Sequence, residues 1–141
     1  MDELVPVTVY ERDRIKVAAL HVPHGIVPAL AFRVTIDETS LVFSSDQNLS
    51  NPIFEAFAAD ASVLVTHMTL PEGATSGTTL HAVPSRIGEF AGSVKPETLL
   101  LSHFMARSLK DLDENVDEVR TGYDGNIVIA EDLACYEITG R

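Results

Sequence analysis

Through the first third of the chain, apolar and polar residues alternate in short runs. "LVPVTVY" (4–10) and "RIKVAALHV" (14–22) are β-rich and are split by the charged "ERDR", the pattern of a hairpin. "ALAFRVTI" (29–36), the polar turn "DETS" and "LVFS" (41–44) predict a third and a fourth strand. From residue 51 the period lengthens. "NPIFEAFAAD" offers Asn51 as N-cap and Pro52 at the first helical position, with Ile53, Phe54, Phe57 and Ala58 on one face. "SVLVTHM" reads as a buried strand, and "PEGATSGTTL" as a loop without periodicity. "AVPSRIGEFAG" predicts a helix with Val83, Ile87, Phe90 and Ala91 on one side and Gly92 as its stop. "ETLLLSHF" is another buried strand. In "SLKDLDENVDEVR" Leu109, Leu112, Val116 and Val119 form an apolar stripe opposite a solvated acidic face of Asp111, Asp113, Glu114, Asp117 and Glu118. After an Asp124-Gly125 turn, "NIVIA" and "ACYEI" predict the last strands, with Cys135 as a small core residue.

Strands come first, and strands alternating with helices follow. This order predicts an α/β fold, a mixed β-sheet with helices on at least one face. With no repeat, linker or low-complexity segment, residues 1–141 are expected to form a single domain. Hydrophobic residues make up 45%, enough for a core. No apolar run approaches the roughly 20 residues that span a bilayer. "MDELVPVTVYERD" has no basic region of the kind that opens a signal peptide. The single cysteine cannot form a disulfide within the chain. A cytoplasmic location without a membrane partner is therefore expected. The net charge of −11 repels phosphate backbones, and the ten Lys and Arg are scattered, which disfavours nucleic acid as a partner.

The candidate chemistry lies in the histidines. His24 precedes "VPALAFRV", His67 ends "SVLVTH", His103 ends "ETLLLSH", and Asp46 ends "LVFSSD". In open α/β sheets the carboxyl ends of strands are the usual place for a site. Imidazole and carboxylate suit zinc and related ions. The spacing is not that of a compact zinc finger. The plain alternatives are a turn histidine at His24, a helix-side cap at Asp46 and a core histidine at His103. His21 matches no pattern and is expected to be exposed. Arg107, in "FMARS", is either a solvated helix-end residue or a holder of an anionic substrate group.

Taken together, "HGIVPALAFRV", "LVFSSD", "VLVTHMTLPE", "LHAVPS", "LLLSHFMARS" and "IVIAEDLACYEI" occur in an order that resembles the C-terminal half of a metallo-β-lactamase-fold hydrolase. The likeness is to the branch that contains ribonuclease Z, and it runs from about Val22 onward. The resemblance implies the C-terminal half of an αββα sandwich. By position, His24 and His103 resemble ligands of a first and a second metal, and Asp46 the carboxylate that bridges them. His81 resembles a catalytic histidine that acts on the leaving group, and His67 a supporting residue. Zinc is the implied metal, in a two-metal site, with manganese or iron as options.

Three departures stand out. The family's Gly-Asp-Thr is Ser45-Asp46-Gln47 here, its "HEAT" is "HMTL", and its "HST" is "HAV". The HxHxDH string, which supplies most of the ligands, does not occur, so the N-terminal half is expected to be missing. The resemblance implies a hydrolase that uses a metal-bound hydroxide on a small ester, lactone or phosphodiester. This chain would carry part of the site and be inactive without its complement. The expected partners are a small-molecule substrate and either the complementary half or further copies of this chain. The alternative is a non-catalytic half-fold that binds or self-assembles.

Overall fold

The computed structural model describes residues 5–138; Leu4, the start of the first predicted strand, lies outside them. The strands are β1 (Val7–Arg12), β2 (Ile15–Val22), β3 (Ala29–Ile36), β4 (Thr39–Phe43), β5 (Val63–His67), β6 (Thr98–Ser102) and β7 (Asn126–Ile129). They form one mixed sheet in sequential order. β1 to β4 pair antiparallel, whereas β4 to β7 pair parallel. Helix α1 (Pro52–Ala58) joins β4 to β5, and α2 (Pro84–Val94) joins β5 to β6. The short α3 (Ala106–Leu109) and α4 (Leu112–Gly122) join β6 to β7.

Parallel crossovers are right-handed almost without exception. Three in succession that step the same way across the sheet put every helix on the same face. That face is the core. Leu20, Val22, Ala31, Val42, Leu64, Leu99 and Leu101 point into it from the strands and are all buried. Phe54 and Phe57 of α1, Ile87 and Phe90 of α2, and Val116 and Val119 of α4 meet them. The Phe54 and Phe90 rings stack at 5.3 Å. Asn51 caps α1, its side chain accepting from the Ile53 N–H at 2.9 Å.

The opposite face stays largely bare. Its alternate positions are also apolar, and Leu30 (44% exposed), Phe32 (36%) and Phe43 (41%) stand out from it. Residues 135–138 cross part of it and enclose a cavity of about 760 Å³ against Leu41, Val65, Leu100 and Val128.

Three expectations are corrected. "ACYEI" forms no strand, because the chain leaves the sheet after β7 and turns at Leu133 (φ 66°), and Cys135 is exposed rather than in the core. Gly92 does not stop α2. The helix runs on to Val94 and ends at Lys95, left-handed at φ 52°, whose N–H donates to the Ala91 carbonyl at 2.8 Å. The long acidic helix is broken, so Leu109 leaves the apolar stripe and is 50% exposed.

The glycines of α2 serve contact instead of termination. A Cβ on Gly88 would lie 2.2 Å from the Val119 carbonyl oxygen, and one on Gly92 would lie 2.2 Å from that of Gly122. Backbone-to-backbone approach of α2 and α4 therefore requires bare Cα atoms. Gly88→Ala is expected to destabilise the chain by about 1–3 kcal/mol, the usual cost of overpacking. Urea denaturation measures this; an unchanged midpoint would mean that α4 can move aside for a methyl group.

Candidate metal centre

Parallel β4, β5 and β6 end on one edge of the sheet. Antiparallel pairing of Val22 with Ala29 brings the loop between β2 and β3 to that same edge. Four segments thus converge there. After β4 the ladder is extended by the Ser44 N–H, which donates to the Val65 carbonyl at 2.9 Å. The chain then turns through Ser45, at φ 60°, and the Gln47 amide donates to the Ser44 carbonyl at 2.7 Å. This turn presents Asp46. His67 is the last residue of β5. His103 follows β6 directly, with φ 53°. Left-handed backbone at non-glycine residues is costly and gathers at functional sites.

His81 arrives on the loop between β5 and α2. The Gly77 carbonyl accepts the N–H groups of Leu80 (3.0 Å) and His81 (2.9 Å). Glu72 pins this loop. Its carboxylate accepts from the Ser85 N–H (2.9 Å) and hydroxyl (3.0 Å) at the start of α2. The Glu72 N–H in turn donates to buried Asn115 of α4 at 2.7 Å.

The Asp46 carboxylate is the centre of the cluster. Its Oδ1 lies 2.8 Å from His67 Nδ1, 3.4 Å from His103 Nε2 and 3.6 Å from His81 Nδ1. The His67 and His103 rings meet edge to face at 4.7 Å, and those of His24 and His81 at 5.0 Å. His24 Nδ1 is 3.2 Å from the Leu80 carbonyl oxygen. One ligand atom each from Asp46, His67 and His103 lie within 4.8 Å of one another. Of the three expected ligands, Asp46 and His103 come together directly. His24 stands further back, against His81. His67, expected only in support, takes the third place; its position at a strand end was the available signal. His21 is half-buried within β2 opposite Leu30, not exposed.

No family model matches the chain. A ribonuclease Z from Haloarcula marismortui is 32% identical over 93 residues, which cover 64% of this chain and 30% of that protein. One from Pseudomonas putida is 30% identical over 95 residues, covering 61% and 30%. Among solved structures, a metallo-β-lactamase-fold protein from Bacillus subtilis superposes with a TM-score of 0.77 at 21% identity, over 93% of this chain and 52% of that one. The short form of human tRNase Z gives 0.74 at 18% identity, over 99% and 49%. The chain has about half of a metallo-β-lactamase fold and is similar in sequence to ribonuclease Z.

The alignments span about a third of the curated relatives and about half of the solved structures. The relatives' name weighs against the expectation that nucleic acid is disfavoured as a partner. No helix among the described residues is long and apolar enough to cross a membrane.

Metallo-β-lactamase-fold chemistry asks for a metal, and the donor set can be tested for fit. Burial alone would raise the Asp46 pKa, but the hydrogen bond from His67 and the charges of His67, His103 and His81 hold it below the ordinary carboxylate value. Burial is the largest influence on His81 and pushes it below the ordinary histidine value; Asp46 opposes this, while His24, His103 and Arg107 add to it. Asp46 is thus anionic near pH 7, the state that a metal ligand needs, while His81 beside it is neutral. His81 Nδ1 is buried without a hydrogen-bond partner among the described residues. Three protein donors, Asp46, His67 and His103, are the number that a catalytic zinc site uses. The residues fit.

Replacing the central carboxylate is expected to weaken metal binding most. Asp46→Ala should lower zinc affinity by at least about 10-fold, while His21→Ala leaves it unchanged. Calorimetric titration of the two variants decides this, and equal affinities would remove Asp46 from the site.

Proposed function

We propose that this chain forms part of the active site of a metal-dependent hydrolase that acts on a small ester, lactone or phosphodiester. The observation that supports the reading is one carboxylate oxygen with three imidazole nitrogens within 3.6 Å, at the carboxyl edge of parallel strands. His24, Asp46 and His103 are the proposed ligands of a two-metal site, with His67 added on distance. When bound, zinc, manganese or iron would activate water and stabilise the charge that develops on the substrate.

The rest falls to protein groups. Asp46 fixes the His67 ring through their hydrogen bond. His81 is proposed to hand the leaving group its proton. With a pKa held below the ordinary value, its acid form is scarce at neutral pH but a strong donor when present. The ligands carried by HxHxDH would come from a complementary half, in the same polypeptide or another. His81→Ala in the completed enzyme is expected to lower kcat by about 100-fold with metal content unchanged. Metal loss on that substitution would make His81 a ligand, and an unchanged kcat would remove it from the chemistry.

The second reading is a non-catalytic half-fold that assembles through its bare sheet face. The exposure of Leu30, Phe32 and Phe43 favours it. Exposed apolar patches beyond a few hundred Å² are rare on monomers, and each Å² covered is worth about 25 cal/mol. Light scattering of the purified chain is expected to give a dimer or larger species. A well-behaved monomer at high concentration that does not bind a hydrophobic dye would count against self-assembly.

A further inference from the structure

We propose that Asn115 is a positioning residue: from α4 it holds the loop that brings His81 to Asp46. This rests on the hydrolase reading above, in which His81 belongs to the site, and it names what keeps that ring in place.

His81 stands on neither a strand nor a helix. Its loop runs from the end of β5 to the start of α2, and one side chain closes the base. Helix α2 begins at Pro84 with Val83 as N-cap, and valine has no oxygen with which to cap. Glu72 supplies one from 13 residues away, its carboxylate accepting from the Ser85 N–H at 2.9 Å. The Ser85 hydroxyl donates to the same carboxylate at 3.0 Å. A negative group is also the charge that a helix N-terminus favours. The turn that presents Asp46 adds a tie further along, where the Asn48 amide donates to the Thr79 carbonyl at 3.2 Å.

Glu72 is exposed, so a loop closed by it alone would have no fixed point. Asn115, 2% exposed, provides that point. Its Oδ1 accepts the Glu72 N–H at 2.7 Å, and its Nδ2 donates to the Ser108 carbonyl at 3.0 Å. Ser108 is buried too. Its hydroxyl accepts the Met105 N–H at 3.1 Å and donates to the Met105 carbonyl at 3.0 Å, two residues after His103. One amide thus joins the segment that follows His103 to the base of the loop that carries His81. The task needs an acceptor and a donor on separate atoms of one short side chain. Asparagine has both, and aspartate, leucine and alanine do not.

Amide exchange and cobalt(II) relaxation in the whole chain test this. Cobalt(II) takes the imidazole and carboxylate donors that suit zinc, and it broadens the ring protons near it. The variants are Asn115→Ala, Glu72→Ala, Glu72→Gln and, as a control on α4, Glu114→Gln. Asn115→Ala and Glu72→Ala should each speed exchange of the Leu80 and His81 amides, relative to those of β5, by about 10-fold. Each should also lessen cobalt broadening of the His81 ring, with that of His67 and His103 unchanged. Glu72→Gln keeps an oxygen for Ser85 and should restore most of both signals, and Glu114→Gln should match the parent. Parent-like exchange of Leu80 and His81 in Asn115→Ala would overturn the proposal. So would a loss of protection shared equally by β5, which would make Asn115 a residue of general stability. Should Asn115→Ala fail to fold, Glu72→Ala decides, because that side chain is exposed and the path runs through it: parent-like exchange there overturns the proposal. Failure of cobalt to broaden His67 and His103 in the parent would overturn the hydrolase reading instead, and the exchange rates, which need no metal, would still decide on Asn115.

Discussion

The handedness of three crossovers sets most of what this chain can do. Because β4, β5, β6 and β7 follow one another in order, each right-handed connection lays its helix on the same side. One face of the sheet is thereby closed by α1, α2 and α4, and the other is left to something else. The same parallel run gathers the carboxyl ends of β4, β5 and β6 on one edge. The core, the bare face and the site share this single geometric cause. Had one crossover stepped back across the sheet, helices would lie on both faces and the strands that lead to Asp46, His67 and His103 would no longer be neighbours.

At that edge, order is maintained by backbone rather than by burial. Ser45 and His103 sit in left-handed conformations that cost energy at non-glycine residues. Ladder bonds immediately beside them offset this cost: Ser44 to Val65 before Asp46, and Met68 to Ser102 before His103. The loop that carries His81 has no strand beneath it. It depends on Glu72, which ties its start to both α2 and α4. The buried Asn115 that accepts from Glu72 also donates to the Ser108 carbonyl at 3.0 Å, so the α3–α4 break and the His81 loop are fixed together. The interruption of the acidic helix removes Leu109 from the core and leaves Arg107 on α3, where its Nε donates to the Thr69 carbonyl at 3.3 Å.

Much of this was legible in sequence, where a period of 2 or 3.6 reports directly on a buried face. The seven strands were found within a residue or two at most ends, as was the Asn51 cap, because hydrophobic alternation and capping chemistry are local. Misreadings arose where the cause is tertiary. Gly92 looks like a stop until α4 is present to demand a bare Cα. Cys135 sits in an apolar run that has the composition of a strand, but nothing in the run says whether a ladder partner is free. That the His67 ring reaches Asp46 was likewise not legible, since only the register across β4, β5 and β6 brings those two strand ends together. Arg107 could be noticed in "FMARS" but not placed, since its anchor at Thr69 is 38 residues away.

The charge distribution bears on what could approach this edge. An overall charge of −11 opposes any polyanion that must lie along the surface. Opposition of that kind is long-range and is screened beyond roughly 8 Å at physiological salt. A small anion that reaches the histidine cluster is governed instead by its immediate neighbours. There one carboxylate, Asp46, faces three imidazoles within 3.6 Å, and Arg107 adds a full positive charge nearby. Metal ions held by that carboxylate would turn the local balance further positive. An acidic surface and a locally cationic centre are thus compatible in one chain. Along the surface the sign is the opposite: α4 faces outward with Asp113, Glu114, Asp117 and Glu118 exposed. The long-range field of the surface and the short-range field of the histidine cluster therefore act on an approaching anion at different distances.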